Sequence, residues 1–180
     1  GNYAKFKVTT NSGVYYSTNT ITEVGSTYYI EKTTFSNRTG YTLTRYVLQN
    51  NRWKRSKMES YDSGIKSSTT TFSPYVNLLP STIEIGSRDV QSYTATNSYN
   101  STDYNSTQNQ QQTLTVQSLE RIVVPAGTFD TVKNNTKINT TSSLYSASSQ
   151  SDSWYAKGIG MVKFYPSQDQ YYLAELHSYH

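Results

Sequence analysis

A chain of 180 residues, 34% hydrophobic and 14% aromatic with a net charge of +4, has the length for one hydrophobic core. Its mean hydropathy of -0.71 is low, yet 18 Tyr, 5 Phe and 2 Trp against only 16% charged residues exclude a disordered chain, which is poor in aromatics and rich in net charge. The sparse, scattered charge excludes the dense basic surface of a nucleic-acid-binding domain, and the absence of Cys excludes disulfide staples and thiolate metal sites.

Tyr, Thr and Val, which suit a pleated surface with one buried face, dominate, and stretches of Ala, Leu, Glu and Lys that would form helices are missing. Alternation with turn punctuation predicts strands at residues 2–10, 14–24, 27–36, 40–48 and 52–61. Between them stand Asn11-Ser12-Gly13, Gly25-Ser26, Asn37-Arg38-Thr39-Gly40 and Gln49-Asn50-Asn51 as turns. The polar run 67–71 is followed by Phe72-Ser73-Pro74, Leu78-Leu79-Pro80 and Ile85-Gly86, read as a crossover or short helical turn near residues 72–86 that plugs one end of the sheet. Strands are predicted again at 88–104 and 112–124, with the Asn/Ser/Thr/Gln-rich stretch 100–112 as a loop or the tip of a long hairpin.

After the turn Pro125-Ala126-Gly127, strands are predicted at 129–140, 142–155, 161–165 and 170–179, with Gly158-Ile159-Gly160 as a bulge or tight bend. The whole chain thus reads as one all-β domain over residues 1–180. Its single curved antiparallel sheet of about ten strands, joined as a meander, forms a half-barrel or open barrel. No apolar run approaches the roughly 18–20 residues of a transmembrane helix. Gly1 follows no Met, so the chain reads as a processed or engineered fragment with room upstream for a removed leader or lipid anchor.

The segment Glu120-Arg121-Ile122-Val123-Val124-Pro125-Ala126-Gly127-Thr128-Phe129, followed by Trp154-Tyr155-Ala156-Lys157-Gly158-Ile159-Gly160-Met161-Val162-Lys163, resembles a pattern of bacterial envelope proteins and lipoproteins of unknown function. Leu78-Leu79-Pro80 with Ile85-Gly86, and the terminal Ala174-Glu175-Leu176-His177-Ser178-Tyr179, are similar to the same group. The resemblance implies an exported bacterial domain, periplasmic or envelope-anchored. In shape it implies kinship with LolA/LolB-like lipoprotein carriers, which hold a curved sheet around an apolar cavity. It carries no catalytic residues.

Chemistry-bearing constellations are few. The only histidines, His177 and His180, sit at the C-terminus, no G-x-S-x-G elbow presents a serine, and the 12 acidic residues are dispersed. No metal or cofactor site is recognisable. The densest charge is Arg52-Trp53-Lys54-Arg55-Ser56-Lys57, read as a surface basic patch (Arg52, Trp53, Lys54, Arg55 and Lys57) on a charge-protected strand. The expectation is a non-catalytic envelope domain that binds a lipid, another apolar ligand or an envelope-protein segment in the groove of its sheet. The groove wall would come from Tyr29, Phe72, Phe129, Trp154, Tyr155, Phe164 and Tyr172. A carbohydrate or surface-adhesion module and a structural subunit joined by strand addition at a free edge are the alternatives.

Overall fold

Period-two patterning this persistent gives strands whose faces are fixed by pairing, and in a computed structural model covering residues 2–100, 105–167 and 172–180 these strands form a barrel. The strands are β1 (Tyr3–Thr10), β2 (Gly13–Val24), β3 (Tyr28–Phe35), β4 (Tyr41–Gln49), β5 (Arg52–Asp62) and β6 (Ile65–Asn77). They continue as β7 (Arg88–Tyr99), β8 (Asn105–Val124), β9 (Gly127–Thr141), β10 (Ser146–Ala156), β11 (Gly160–Pro166) and β12 (Tyr172–Tyr179). Ser101, Thr102 and Tyr104 of the predicted 88–104 strand, and Gln170 and Tyr171 of the last, lie outside the described residues.

Every strand pairs antiparallel with its neighbours in the chain, and β1 pairs with β12, so the meander closes into a barrel. The predicted curvature is present, carried to full closure with twelve strands. Closure removes the two free edges that a half-barrel would expose. It also corrects the predicted crossover, because the segment after β6 joins adjacent strands.

The additional strand comes from polar sequence. Residues 65–77 and 105–111 carry few apolar side chains, yet both are strands. On the face shared with buried Phe72 and Ala95, Thr70 donates to Asn97 Oδ1 at 2.7 Å, Asn97 donates to Ser106 Oγ at 3.3 Å, and Gln110 donates to Gln108 Oε1 at 3.2 Å. Polar side chains that satisfy one another can face inward without an unpaired group.

The apolar interior lies in two clusters. Phe6, Val8, Val124, Ala156, Val162, Ala174 and Leu176 pack where β1 and β12 close the barrel. Phe72, Val76, Tyr93 and Ala95 pack on the opposite wall, with Met58 against them. The outer face carries ion pairs, among them Lys57–Glu59 at 2.8 Å, Lys66–Glu59 at 3.4 Å and Lys133–Asp152 at 3.0 Å. A charged outer face is the reverse of the apolar belt on a lipid-facing barrel.

Residues Phe72-Ser73-Pro74 belong to β6 and are not a helical turn. Between Thr71, paired with Lys57, and Val76, paired with Arg55, β6 bulges away from β5, and its pairing with β7 ends at Ser73. Pro74 sits in this gap, where its missing N–H costs no ladder bond. The Gln91 side chain spans the gap, accepting from Asn77 N at 2.9 Å and donating to Tyr75 O at 2.6 Å. Gln91→Ala is expected to cost about 1–3 kcal/mol by leaving these two backbone groups unmet. The local signature is faster hydrogen exchange at the Asn77 amide, with amides on β1 and β12 unchanged.

Candidate functional site: a covered cavity in the barrel mouth

One end of the barrel gathers the turns after β2, β4, β8 and β10 together with the long connection between β6 and β7. The β4–β5 turn is tight because Asn50 and Asn51 both take positive φ, 55° and 56°, which asparagine tolerates. At the β10–β11 turn Gly158 and Gly160 do the same at 78° and 94°. These tight turns leave room for the β6–β7 connection to fold over the opening.

Beneath it lies a cavity of about 600 Å3, within the size range of small-molecule sites. Ala4 and Phe6 of β1, Asn19 and Ile21 of β2, and Tyr29 and Glu31 of β3 form one side. Tyr46 of β4, Trp53 of β5, and Tyr155, Ile159 and Met161 around the β10–β11 turn form the rest of the wall. Leu78, Leu79, Pro80, Ser81 and Ile83 of the connection cover it. A larger depression of about 740 Å3 at the other end is lined chiefly by the Thr10, Asn11, Ser12 and Gly13 turn, with Val14, Tyr15, Asn37 and Tyr172. Its described lining carries no charged side chain and is about as polar as it is apolar. Burial pushes the Tyr172 hydroxyl there up to about 12, with Tyr15 adding to the effect.

The cover is held at its base by one carboxylate. Asp89 Oδ2 receives Arg52 Nη2 at 3.0 Å and the Ser81 amide at 2.9 Å, while Oδ1 receives the Ser81 hydroxyl at 3.0 Å. Arg52 also donates to the carbonyl of Leu79. Burial alone would raise the Asp89 carboxyl, but the Ser81 and Arg52 hydrogen bonds outweigh it and hold the group below the usual aspartate range.

The wall is aromatic. Tyr29 and Tyr46 stack with centroids 4.7 Å apart, and Trp53 meets Tyr29 edge-on at 4.8 Å. Trp53 is 40% exposed, so its ring stands at the opening. Glu31 faces this group, and its Oε1 accepts a long hydrogen bond of 3.5 Å from the Tyr46 hydroxyl, with a further side-chain bond from Asn19. Burial raises the Glu31 carboxyl above its ordinary value despite these bonds. Burial likewise raises the hydroxyls of Tyr29 and Tyr46, and the Glu31 charge raises both further. The Tyr155 hydroxyl is also raised by burial.

Of the residues expected to form a binding wall, Tyr29 and Tyr155 line this cavity and the others lie elsewhere. Phe72 lies in the second core cluster. Phe129 packs against the first, with its ring 6.1 Å from Tyr179, and Phe164 meets Tyr172 at 6.0 Å. Trp154 lies between Lys133 and Lys163, 5.2 and 5.4 Å from its ring, and donates Nε1–H to Glu120 at 2.7 Å.

The expected basic patch is divided by strand alternation and a bulge at Ser56. Arg52 holds the cover, Trp53 lines the cavity, and Arg55 lies over the Phe72 ring at 4.6 Å with its Nε buried and unpartnered. Lys54 binds Gln49 at 3.1 Å and Lys57 pairs with Glu59 at 2.8 Å. His177 packs on Tyr16 at 5.1 Å and His180 on Tyr3 at 6.3 Å. Among the described residues no three of His, Asp and Glu gather as metal ligands would.

Glu31, Tyr46, Ile21, Met161 and Asp89 were not singled out from sequence. Alternation alone places Glu31 on the face of Tyr29, but opposing Tyr46 to Tyr29 requires the β3–β4 register.

Among solved structures, the chain is similar in fold to a candidate exported protein with a YmcC-like fold from Bacteroides fragilis, with a TM-score of 0.64 and 14% identity over 100% of this chain and 95% of that one. It is also similar to a candidate lipoprotein from Parabacteroides distasonis, with a TM-score of 0.63 and 16% identity over 100% of this chain and 95% of that one. No curated protein matches the sequence. Residues 53–171, from the second residue of β5 through the cover, the Pro125-Ala126-Gly127 turn and the Gly158–Gly160 turn, match one family model throughout. The chain belongs to the DUF3108-like family.

Proposed function

We propose that the protein is a non-catalytic, exported bacterial envelope domain that takes the apolar part of a small ligand into the covered mouth of its barrel. The observation that carries this reading is the cavity itself. About 600 Å3 of space is walled mainly by aromatic and aliphatic side chains and roofed by Leu78, Leu79, Pro80 and Ile83. A concave, largely apolar wall open to solvent at one side holds water poorly, and an apolar ligand that displaces this water would gain the contact.

Export is supported by the likeness in fold to proteins described as a candidate exported protein and a candidate lipoprotein, and by the sequence pattern around Pro125-Ala126-Gly127. The strand-addition alternative loses support, since β1 pairs with β12 and each described strand has a neighbour on both sides. The LolA/LolB-like carriers screen an open sheet with helices, whereas all the secondary-structure elements described here are strands and the sheet screens its own interior.

The test is titration with N-phenyl-1-naphthylamine, a neutral apolar fluorophore. It is expected to bind the wild-type protein at one site with blue-shifted emission. Met161→Trp, which adds volume to the wall, is expected to weaken binding about tenfold or more while keeping the wild-type circular dichroism spectrum. Saturable binding of equal strength in the two proteins would remove the cavity as the site.

A further inference from the structure

The cavity wall carries an acidic side chain, Glu31, that has no ion-pair partner among the described residues. The groups acting on it are neutral ones, Tyr46 and Asn19. Arg52, the one cation among the described residues that line the chamber, is already engaged by Asp89 and the Leu79 carbonyl at the rim. Arg55 lies outside the lining, over Phe72, where it acts on Tyr46, Tyr93 and Tyr155.

Three rings converge on the same region. Tyr29 and Tyr46 stack, Trp53 closes on Tyr29 edge-on, and all three line the chamber with Glu31. Aromatic faces carry negative quadrupolar potential and attract ammonium groups, most strongly when these are desolvated. An anionic head would meet those faces and Glu31 with the wrong sign, whereas a neutral one would leave the carboxyl buried without compensation.

We propose that the cavity is selective for cationic amphiphiles, with a quaternary or protonated amine seated among Tyr29, Tyr46, Trp53 and Glu31 and an apolar chain under Leu78, Leu79 and Ile83. This rests on the reading of the chamber as a ligand site and adds the charge class of the ligand. The groups facing Glu31 are Asn19 from β2, Tyr29 on its own strand and Tyr46 from β4, with Tyr155 from β10 across the chamber and Arg52 at the rim.

Two consequences follow from the raised Glu31 carboxyl. A permanently charged ammonium favours the carboxylate, so its binding expels a proton and its affinity rises with pH from the ordinary glutamate range upward. Without ligand, a carboxyl whose native value is raised favours the fold most fully below its unfolded value, and that contribution is lost as the pH rises through the native value. Glu31→Gln is therefore expected to raise the melting temperature at pH above the native Glu31 value, with the gain shrinking on acidification.

The experiment displaces N-phenyl-1-naphthylamine with three chain-matched probes below their micelle concentrations: decyltrimethylammonium, decyl sulfate and decanol. The expected result is at least about tenfold tighter binding of decyltrimethylammonium than of the other two. That preference should be largely lost in Glu31→Gln, in which decyltrimethylammonium should fall toward the level of decanol. Calorimetry in two buffers of different ionisation enthalpy, repeated down to the ordinary glutamate range, should report proton release with decyltrimethylammonium that grows as the pH falls toward that range, and none with decanol. Equal binding of the three probes, or preference for decyl sulfate through Arg52 and Arg55, would overturn the cationic assignment and leave the cavity reading standing. Failure of the fluorophore and all three probes to bind would overturn the cavity reading itself.

Discussion

Leu176→Ala is expected to destabilise the barrel by about 2–5 kcal/mol, the range for deleting a buried leucine side chain where neighbours cannot collapse. Leu176 is 0% exposed and lies opposite Phe6 on β1, at the pairing that closes the barrel. Val8 and Val162, each also 0% exposed, share its cluster with Val124 and Ala174. Its carbonyl accepts the Ala126 amide at 2.9 Å, which fastens the β8–β9 turn to β12. These neighbours belong to four different strands and one turn, so no single one can move inward to fill the void.

At roughly 2–4 °C per kcal/mol for a protein of this size, the loss shows directly in thermal unfolding. Leu176→Met, which conserves volume, should cost less than about 1.5 kcal/mol. Leu144→Ala, at a position 80% exposed, should stay within about 0.5 kcal/mol. A Leu176→Ala protein that melts with the wild type would mean that the β1–β12 closure does not depend on this packing.

Asp89→Ala is expected to release the cover from the barrel mouth and to cost about 1–3 kcal/mol, since three hydrogen bonds, two from Ser81 and one from Arg52, converge on this carboxylate. The arginine left behind is only 28% exposed in its side chain and would have to seek water, carrying with it the Leu79 carbonyl that it binds. The Ser81 amide, which donates to Asp89 Oδ2 at 2.9 Å, is the reporter: its hydrogen exchange should accelerate strongly, with the β1 and β12 amides unaffected. N-Phenyl-1-naphthylamine should also enter and leave faster, at an affinity changed less than either rate. Unchanged protection at Ser81 would show that the apolar contacts of the connection hold it without the carboxylate.

The same contact makes the cover sensitive to acid. Asp89 is held below its ordinary value in the native state. Its contribution is therefore complete at pH values above the unfolded aspartate range and disappears as the pH falls through the depressed native value. Glu31 behaves in the opposite sense, its contribution being fullest at low pH. Acidification thus loosens the cover and relaxes the carboxyl beneath it. Lowering the pH should therefore speed the release of decyltrimethylammonium more in the wild-type protein than in Glu31→Gln, whose release is already fast and loses only the contribution of the cover.

How much of this was legible in the sequence depends on how local the signal is. Asn11-Ser12, Asn50-Asn51, Pro125-Ala126 and Gly158-Ile159 all fall at turns between strands, because turn chemistry is set by the residues that make the turn. The segment at Leu78-Leu79-Pro80 was expected to plug one end of the sheet, and it lies over the barrel mouth. Its two leucines and proline could neither extend β6 nor remain in water together. The polar strand β6 was missed because its inner residues are satisfied by Asn97 and its neighbours on β7 and β8, partners outside its own sequence window.

The binding wall was only partly legible for the same reason. Bulges at Ser56 of β5, in the β6 segment 72–75 and between Val116 and Ser118 of β8 each shift which side chains face inward, and their places depend on the partner strands. Thus Arg55 is drawn into the barrel against Phe72 while Lys57 stays outside with Glu59. By itself, then, the sequence determined an all-β antiparallel meander, its turns and its covering segment, since alternation and turn chemistry act over a few residues. Only the tertiary structure decided that the sheet closes, which tyrosines share a chamber, and that Glu31 stands among them without an ion pair among the described residues, because closure and register bring together residues far apart in the chain.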